Sequence, residues 1–332
     1  MSPKRHHTTP ILHLKHFTDA NGQVWTYDAE TSYTRPAAPR NTAVQTHFYS
    51  AEDVGGTIDT RIEEYLSKVE SAAAPVYEEL LRGELPEGSQ ARADFATFLA
   101  LMYVRTPAMR RMHGEGYGRY LQILVYAHAL DDRIFERTIK GFERERGEPL
   151  DPETKKRLRS DMLDPAGYAL EIPKEKTFGA LNIADKLAPI FYKMRWSLVV
   201  AEHGYFLTSD HPLVRTVEPR AYHRMYGDHG FLNKTAEVSF PLSPKVILIL
   251  SWDETALGRG VLGRIHVTAL NRVRAAYCDR YLYAHVRDKR LEKLAAEFKG
   301  SRPGMTTLGF GPKKFAAVTV ARRSRPEQSA HE

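Results

Sequence analysis

The spacing of apolar residues changes period midway along the chain, and that change limits the folds open to it. Ile58, Ile62, Tyr65, Leu66, Val69, Ala73, Val76, Tyr77 and Leu80 recur at helical spacing, and Gly83 marks the end of that helix. Pro75 inside the stretch predicts a kink or a split. Ser89 is placed to cap a second helix carrying Phe95, Phe98, Leu99, Met102 and Tyr103, which Thr106-Pro107 should end because a residue before proline disfavours α geometry. A third helix is expected over 108–128. Residues 131–162 are charged and weakly amphipathic, broken at Gly147 and restarted at Asp151-Pro152, so they read as a surface helical pair and an insertion. A helix over about 182–193 leads into the second half.

From residue 195 onward the signals are those of strands. Trp196–Val200 and Tyr205–Ser209 flank Glu202-His-Gly204 as a hairpin pattern, and Val238–Phe240 and Lys245–Trp252 flank Pro241-Leu-Ser-Pro244 as a second one. Tyr281–Val286 is a further strand, after a short helix over about 270–278, and Asp288 is placed to cap a last helix ending near Phe298. At the start of the chain, the Asn21-Gly22 turn predicts a hairpin or a turn between short elements within 11–28, and Arg35–Arg40 reads as a proline-rich connector. The fold class expected is therefore α+β: a helical, bundle-like block packed on a mixed or antiparallel sheet built from the N-terminal and C-terminal segments. One domain is expected over 1–300, with a helical subregion at about 51–193 and a β-rich subregion at about 195–298 joined by 1–50. A basic, partly disordered tail follows at 301–332.

Composition excludes several classes. The chain is 42% hydrophobic and 27% charged, as globular proteins are. Its one cysteine, Cys278, permits no internal disulfide and suits a reducing compartment, where a buried structural thiol is a simpler reading than a nucleophile. No apolar run approaches a membrane span and no apolar stretch follows the charged N-terminus, which leaves the cytoplasm as the expected location and a membrane as an unexpected partner. The net charge of +7 is unevenly spread. Residues 52–94 are acidic, whereas 259–293 carry Arg259, Arg264, Arg272, Arg274, Arg280, Arg287 and Arg290. That contrast makes nucleic acid or another polyanion the expected partner if the arginines share a face, and solvated helix faces otherwise.

Three segments together are similar to a known family. The opening His7-Thr-Thr-Pro10-Ile-Leu-His-Leu14-Lys-His-Phe17 resembles the His-x-x-Pro-x-x-x-Leu-x-x-Phe pattern of the bacterial domain-of-unknown-function family 4238. Residues 63–83 continuing into Phe98–Pro107, and Phe206–Pro212 with Phe240–Pro244 and Asn271, complete the resemblance. His211 departs from it, since asparagine is more usual there. The resemblance implies a common fold and a shared site, but no activity.

Candidate site residues follow from side-chain chemistry. Asp210 and His211 leave a strand whose ladder Pro212 stops, and strand ends aim polar groups. Asp210 suits a general base, a metal ligand or a support for histidine, with a turn that hydrogen-bonds backbone amides as the structural alternative. His7, heading the family-like pattern, suits acid–base work near neutral pH, and a basic terminus without a role is its alternative. Arg105 ends an apolar helix and suits either an anion clamp or neutralisation of the helix C-terminus. Arg195 is a second candidate cation, and Asn271 suits either substrate contact or the capping of a short helix. No phosphate loop, dinucleotide fingerprint, zinc-protease or hydrolase-elbow motif is present, so no nucleotide cofactor is expected and a divalent metal is left open. The function expected is hydrolysis of phosphoester bonds by an Asp/His/Arg site, or else non-catalytic binding of nucleic acid or an acidic protein.

Overall fold

A computed structural model describes residues 5–46, 48, 61–86, 88–165, 167–168, 170, 178–218, 230–256 and 258–300. Contacts divide the chain into two units, Met1–Met109 with Ala180–Glu332, and Arg110–Gly179. The fold is α+β. The expected tail at 301–332 lies outside the described residues.

The first unit holds the sheets. Strands β1 (Arg5–His7) and β4 (Val44–Thr46) pair antiparallel. A four-stranded antiparallel sheet runs β3 (Thr34–Ala37), β2 (Val24–Asp28), β11 (Tyr281–Ala284), β6 (Thr208–Ser209). A five-stranded sheet runs β10 (Arg259–Leu262), β5 (Arg195–Ala201), β9 (Val246–Ser251), β8 (Glu237–Pro241), β7 (Val214–Thr216), with only the β10–β5 pair parallel. The β8–β9 hairpin is the one the sequence signals.

Two other strand expectations are corrected. Of the two arrangements expected at 11–28, the turn between short elements is present and the hairpin is not: Ile11–Leu14 is a short helix, α1, Gly22 turns at φ +71°, and the β2 hairpin partner is β3. The proline-rich stretch read as a connector supplies that strand, tolerated because β3 is an edge where Pro36 need not donate to a ladder. The segment after Glu202-His-Gly204 does not fold back on β5 either. Gly204 turns with φ +90°, and the short β6 joins the other sheet against β11.

The helices of this unit follow their expected spacing with local differences. Helix α2 (Arg61–Leu81) runs through Pro75 without a break. Pro75 and Ser71, whose carbonyl loses its donor, both lie on the exposed side. Helix α3 (Ser89–Val104) has Gly88 at its N-cap with no side-chain cap, and buries Phe95, Ala96, Phe98, Leu99, Ala100, Leu101, Met102 and Val104. A helix buried on so many sides is a central element, and it packs on α2 and on α7 (Ala184–Lys193). Helix α8 (Arg264–Tyr277) starts earlier than expected, so Asn271 lies inside it rather than opening it, and Cys278 follows as its buried C-cap. Asp288 caps α9 (Lys289–Glu297) by accepting from Arg290 N.

In the second unit, α4 (Pro107–Leu130) continues from its first turn in the first unit, followed by α5 (Asp132–Arg146) and α6 (Pro152–Met162). Asp131 and Asp151 cap α5 and α6, and Gly147 ends α5 at φ +81°. Arg159 joins these helices, with Nε donating to the Ala129 carbonyl and its guanidinium over the Phe135 ring.

Two faces of the four-stranded sheet have different tasks. Tyr27, Leu207, Leu282 and Ala284 pack on Ala275, Ala276, Leu291 and Ala295 of α8 and α9. The opposite face carries Val24 and Tyr283 against Leu14. His13, fully buried beneath it, ties three elements together. Its Nδ1 lies 2.9 Å from the Tyr77 hydroxyl and its Nε2 2.8 Å from Thr208 Oγ1, while Tyr77 donates to the Leu242 carbonyl at 2.8 Å. Because Tyr77 spends its proton on Leu242, His13 must donate from Nδ1 and accept from Thr208 at Nε2. Burial, reinforced by His16 and Arg274, holds His13 well below the usual imidazole range, so it is neutral. Tyr77→Phe strands both the Nδ1 proton and the Leu242 carbonyl; a loss of about 1–3 kcal/mol is expected, read as a lower urea midpoint at unchanged slope.

Candidate functional site

Strand alternation places Thr26 and Asp28 of β2, Arg35 and Ala37 of β3, and Tyr281 and Tyr283 of β11 on the face away from α8 and α9. A cavity of about 320 Å³ is lined by residues of this face, with Thr8 and residues 41–45 as a wall and Asp210, Asp279 and Arg280 at one end. Pro107 also lines it. Segments that are far apart in sequence, around residues 8, 107 and 210, therefore meet.

Asp210 is the candidate that lines the cavity, and its buried carboxylate is heavily used. Oδ1 accepts from Asp279 N at 2.8 Å, and Oδ2 accepts from Arg280 N and Tyr281 N at 2.8 and 2.9 Å. Its own N–H donates to the Tyr281 carbonyl at 3.0 Å. Burial pushes the carboxyl up to about 7, with the Asp279 charge adding to the rise and the three backbone donors opposing it. The structural alternative foreseen for this residue, bonding to backbone amides, is present, but to amides some seventy residues away and not to its own turn.

The other candidates are held elsewhere. His7 Nδ1 lies 3.2 Å from the Thr42 carbonyl, and its own carbonyl accepts from Arg105 Nη2 at 2.7 Å. Arg105 is buried and also donates to Glu70 Oε1 at 2.6 Å, so its guanidinium joins α2, α3 and β1. His211 is buried, with Nδ1 3.0 Å from Thr106 Oγ1 and its ring edge-on to Tyr103. These three bring the expected segments together, but none of them lines the cavity. Arg195 is an exposed strand residue that donates to the Glu254 carbonyl. Asn271 clamps the chain before β6, accepting from Leu207 N and donating to the Tyr205 carbonyl.

Charge around the cavity is mixed. Arg280 binds Asp28 at 2.6 Å and Glu30 at 3.4 Å. Burial raises the Asp28 carboxyl, but hydrogen bonds from Arg280, Thr31 and Glu30 N outweigh it and hold the group at about 2. The Arg35 side chain makes no hydrogen bond or ion pair with any described residue. Thr26 is buried, and its hydroxyl has no partner among the described residues. In the wall, Ala43 holds φ +54°, a left-handed conformation costly for alanine, while its carbonyl accepts from Thr8 N and Thr8 Oγ1. Among the described residues no group of three or more His, Cys, Asp and Glu is arranged to hold a metal ion. The Cys278 thiol is buried, and burial with the nearby Asp210 and Asp279 charges pushes it well above its usual range, which leaves it a poor nucleophile.

Several cations of the 259–293 stretch are paired within the chain. Arg272 pairs with Glu297, Arg287 with Glu292 and Arg290 with Asp288. Arg274 lies fully inside, donating to the Pro212 carbonyl and to Ser239.

The family model described as "Protein of unknown function (DUF4238)" matches residues 5–288. The chain belongs to this family. No curated protein matches it, and no solved structure does. Within the DUF4238 match, Leu14 and Phe17 of the opening pattern are fully buried, and Pro10 stands at the N-cap of α1. The pattern thus builds the segment that carries His13 and covers one side of the sheet.

Sequence reasoning passed over Thr26, Arg35, Asp28 and Arg280. Alternation along 24–28 shows that Thr26 and Asp28 share a face, but Arg35 is hidden in a proline-rich stretch and the pairing of β2 with β11 leaves no local signal.

Asp28 gives a pH test. Its folded value lies below its unfolded one, so its contribution is complete above about pH 4 and is lost as pH falls toward 2. Asp28→Asn should lower stability at pH 7 by about 1–3 kcal/mol and reduce the wild-type fall in melting temperature between pH 4 and pH 2.

Proposed function

We propose that the chain holds a small polar organic molecule in the cavity over β2, β3 and β11, and that this cavity, rather than an extended basic face, is its functional centre. The observation that carries the reading is Arg35, an exposed guanidinium with no bond to a described residue, in the lining of a cavity walled by β2, β3, β11 and residues 41–45. A guanidinium free to form a fork of hydrogen bonds suits an acidic group of a small ligand. At about 320 Å³ the cavity is of the size that small molecules fill. The pairing of Arg272, Arg287 and Arg290 with carboxylates supports a pocket ligand over a nucleic-acid polymer. No helix among the described residues is long and apolar enough to cross a membrane. A cytoplasmic location belongs to the same proposal, supported by the single cysteine.

Hydrolysis of a phosphoester stands as the second reading because Asp210, pushed up to about 7, lines the same cavity. A carboxylate has about four acceptor positions, and three are taken by backbone donors, so one remains for a water or a ligand proton. His7, His211 and Arg105, engaged in other bonds, have no direct part in this version.

A thermal-shift panel of small polar metabolites, run beside single-stranded and duplex oligonucleotides, tests the first reading. Wild type should gain several degrees with a small molecule, and Ala37→Trp, which fills the cavity, should lose that gain while keeping its circular dichroism. Steeply salt-dependent oligonucleotide binding that persists in Ala37→Trp would point to the polyanion reading instead. For the second reading, wild type should release p-nitrophenol from bis-p-nitrophenyl phosphate at a rate that rises through about pH 7, as Asp210 ionises. Wild type without release removes hydrolysis and leaves binding.

A further inference from the structure

Resting on that reading, the polar side chains that the fold leaves unbonded narrow the class of ligand. Arg35 of β3, Gln45 of β4 and Tyr281 of β11 all line the cavity. None of these side chains hydrogen-bonds or ion-pairs with a described residue. Arg35 and Gln45 are exposed, and Tyr281 is half-buried with a hydroxyl that, unlike that of Thr26, is open. The Arg280 guanidinium stands 5.0 Å over the Tyr281 ring, so that face is taken and the hydroxyl is what the residue offers. Burial raises the Tyr281 phenol, and the charges of Arg280 and Arg35 oppose the rise, so Arg35 acts across the sheet toward Tyr281. Three strands far apart in sequence thus bring a guanidinium, an amide and a phenol to one space.

The charges around them limit the ligand to one negative group. Arg35 and Arg280 are the cations of the lining, and Arg280 is already shared between Asp28 and Glu30. A second negative group would find no further cation in the lining and would meet Glu30, Asp210 and Asp279, and charge complementarity rejects such a partner. The neutral groups limit the rest of the molecule. A ligand that displaces water from Gln45 and Tyr281 without offering hydroxyls in return loses those hydrogen bonds, whereas a hydroxyl can donate to or accept from either group.

We propose that the cavity takes a small hydroxy acid, a molecule with one carboxylate and one or more hydroxyls. The carboxylate lies on the Arg35 guanidinium, and the hydroxyls are shared between the Gln45 amide and the Tyr281 phenol. Arg35 sits on an edge strand and is exposed, so its side chain orders on binding.

Isothermal titration of the full chain tests this with D-gluconate and D-glycerate as hydroxy acids. Sorbitol supplies hydroxyls without a carboxylate, hexanoate a carboxylate without hydroxyls, and D-glucarate and inorganic phosphate more negative charge. At least one hydroxy acid should bind about ten or more times tighter than each of the other four probes. Arg35→Ala should weaken that binding about tenfold or more, and Gln45→Ala and Tyr281→Phe about three- to tenfold each. Glucarate or phosphate binding that matches the hydroxy acids overturns the proposal, as does hexanoate or sorbitol binding that matches them. Unchanged affinity in Arg35→Ala, or in both of the other variants, overturns it too. If the hydroxy acids fail and the thermal-shift panel finds another ligand whose gain Ala37→Trp abolishes, the ligand class is wrong while the pocket stands. If nothing small binds wild type, both fall.

Discussion

Three backbone N–H groups converging on one carboxylate organise the part of this molecule that holds the cavity. Asp210 leaves β6 and accepts from residues 279, 280 and 281, so a tight segment after α8 is fixed against the end of a strand far away in sequence. That fixing starts β11 in register with both β6 and β2. It also sets Arg280 where Asp28 and Glu30 can bind it, closing one end of the cavity. Each N–H would otherwise be a buried or half-buried donor in need of a partner, and a charged acceptor satisfies all three at once.

A second polar assembly lies under the same face of the sheet. Thr208, His13, Tyr77 and the Leu242 carbonyl form a buried chain that joins β6, the N-terminal segment, α2 and the β8–β9 turn. Such chains are satisfied only in one arrangement, so they specify the fold as well as stabilise it. Arg105 adds a third tie, bonding the β1 backbone at His7 and Glu70 of α2. His7 and His211, suggested for catalysis, and Arg105, suggested as an anion clamp, thus bond one segment to another. The cavity is lined instead by strand and loop residues of more ordinary appearance.

Much of the architecture was legible because periodicity reports local structure. The α2 and α3 spacing, the β8–β9 hairpin, the Asp288 cap and the break at Gly147 all follow from residues close in sequence. What depended on distant pairing was not legible. Nothing near Arg35–Arg40 announces that residues 34–37 pair with β2, because prolines mark connectors more often than edge strands. Asn271 resembled a helix opener, but its helix begins at Arg264 and its amide serves the chain at 205 and 207. Asp210 was legible as important, yet its partners were not, since they are backbone groups and carry no sequence mark. Arg35 is the plainest case: an arginine among prolines is unremarkable until three strands are aligned and it stands in the cavity lining.

The most direct test of the central claim is a crystallographic screen of the protein against small polar fragments. The account predicts fragments collecting over β2, β3 and β11, with an oxygen in hydrogen-bonding distance of the Arg35 guanidinium. Fragments that settle on other surfaces and leave that side chain uncontacted would contradict it.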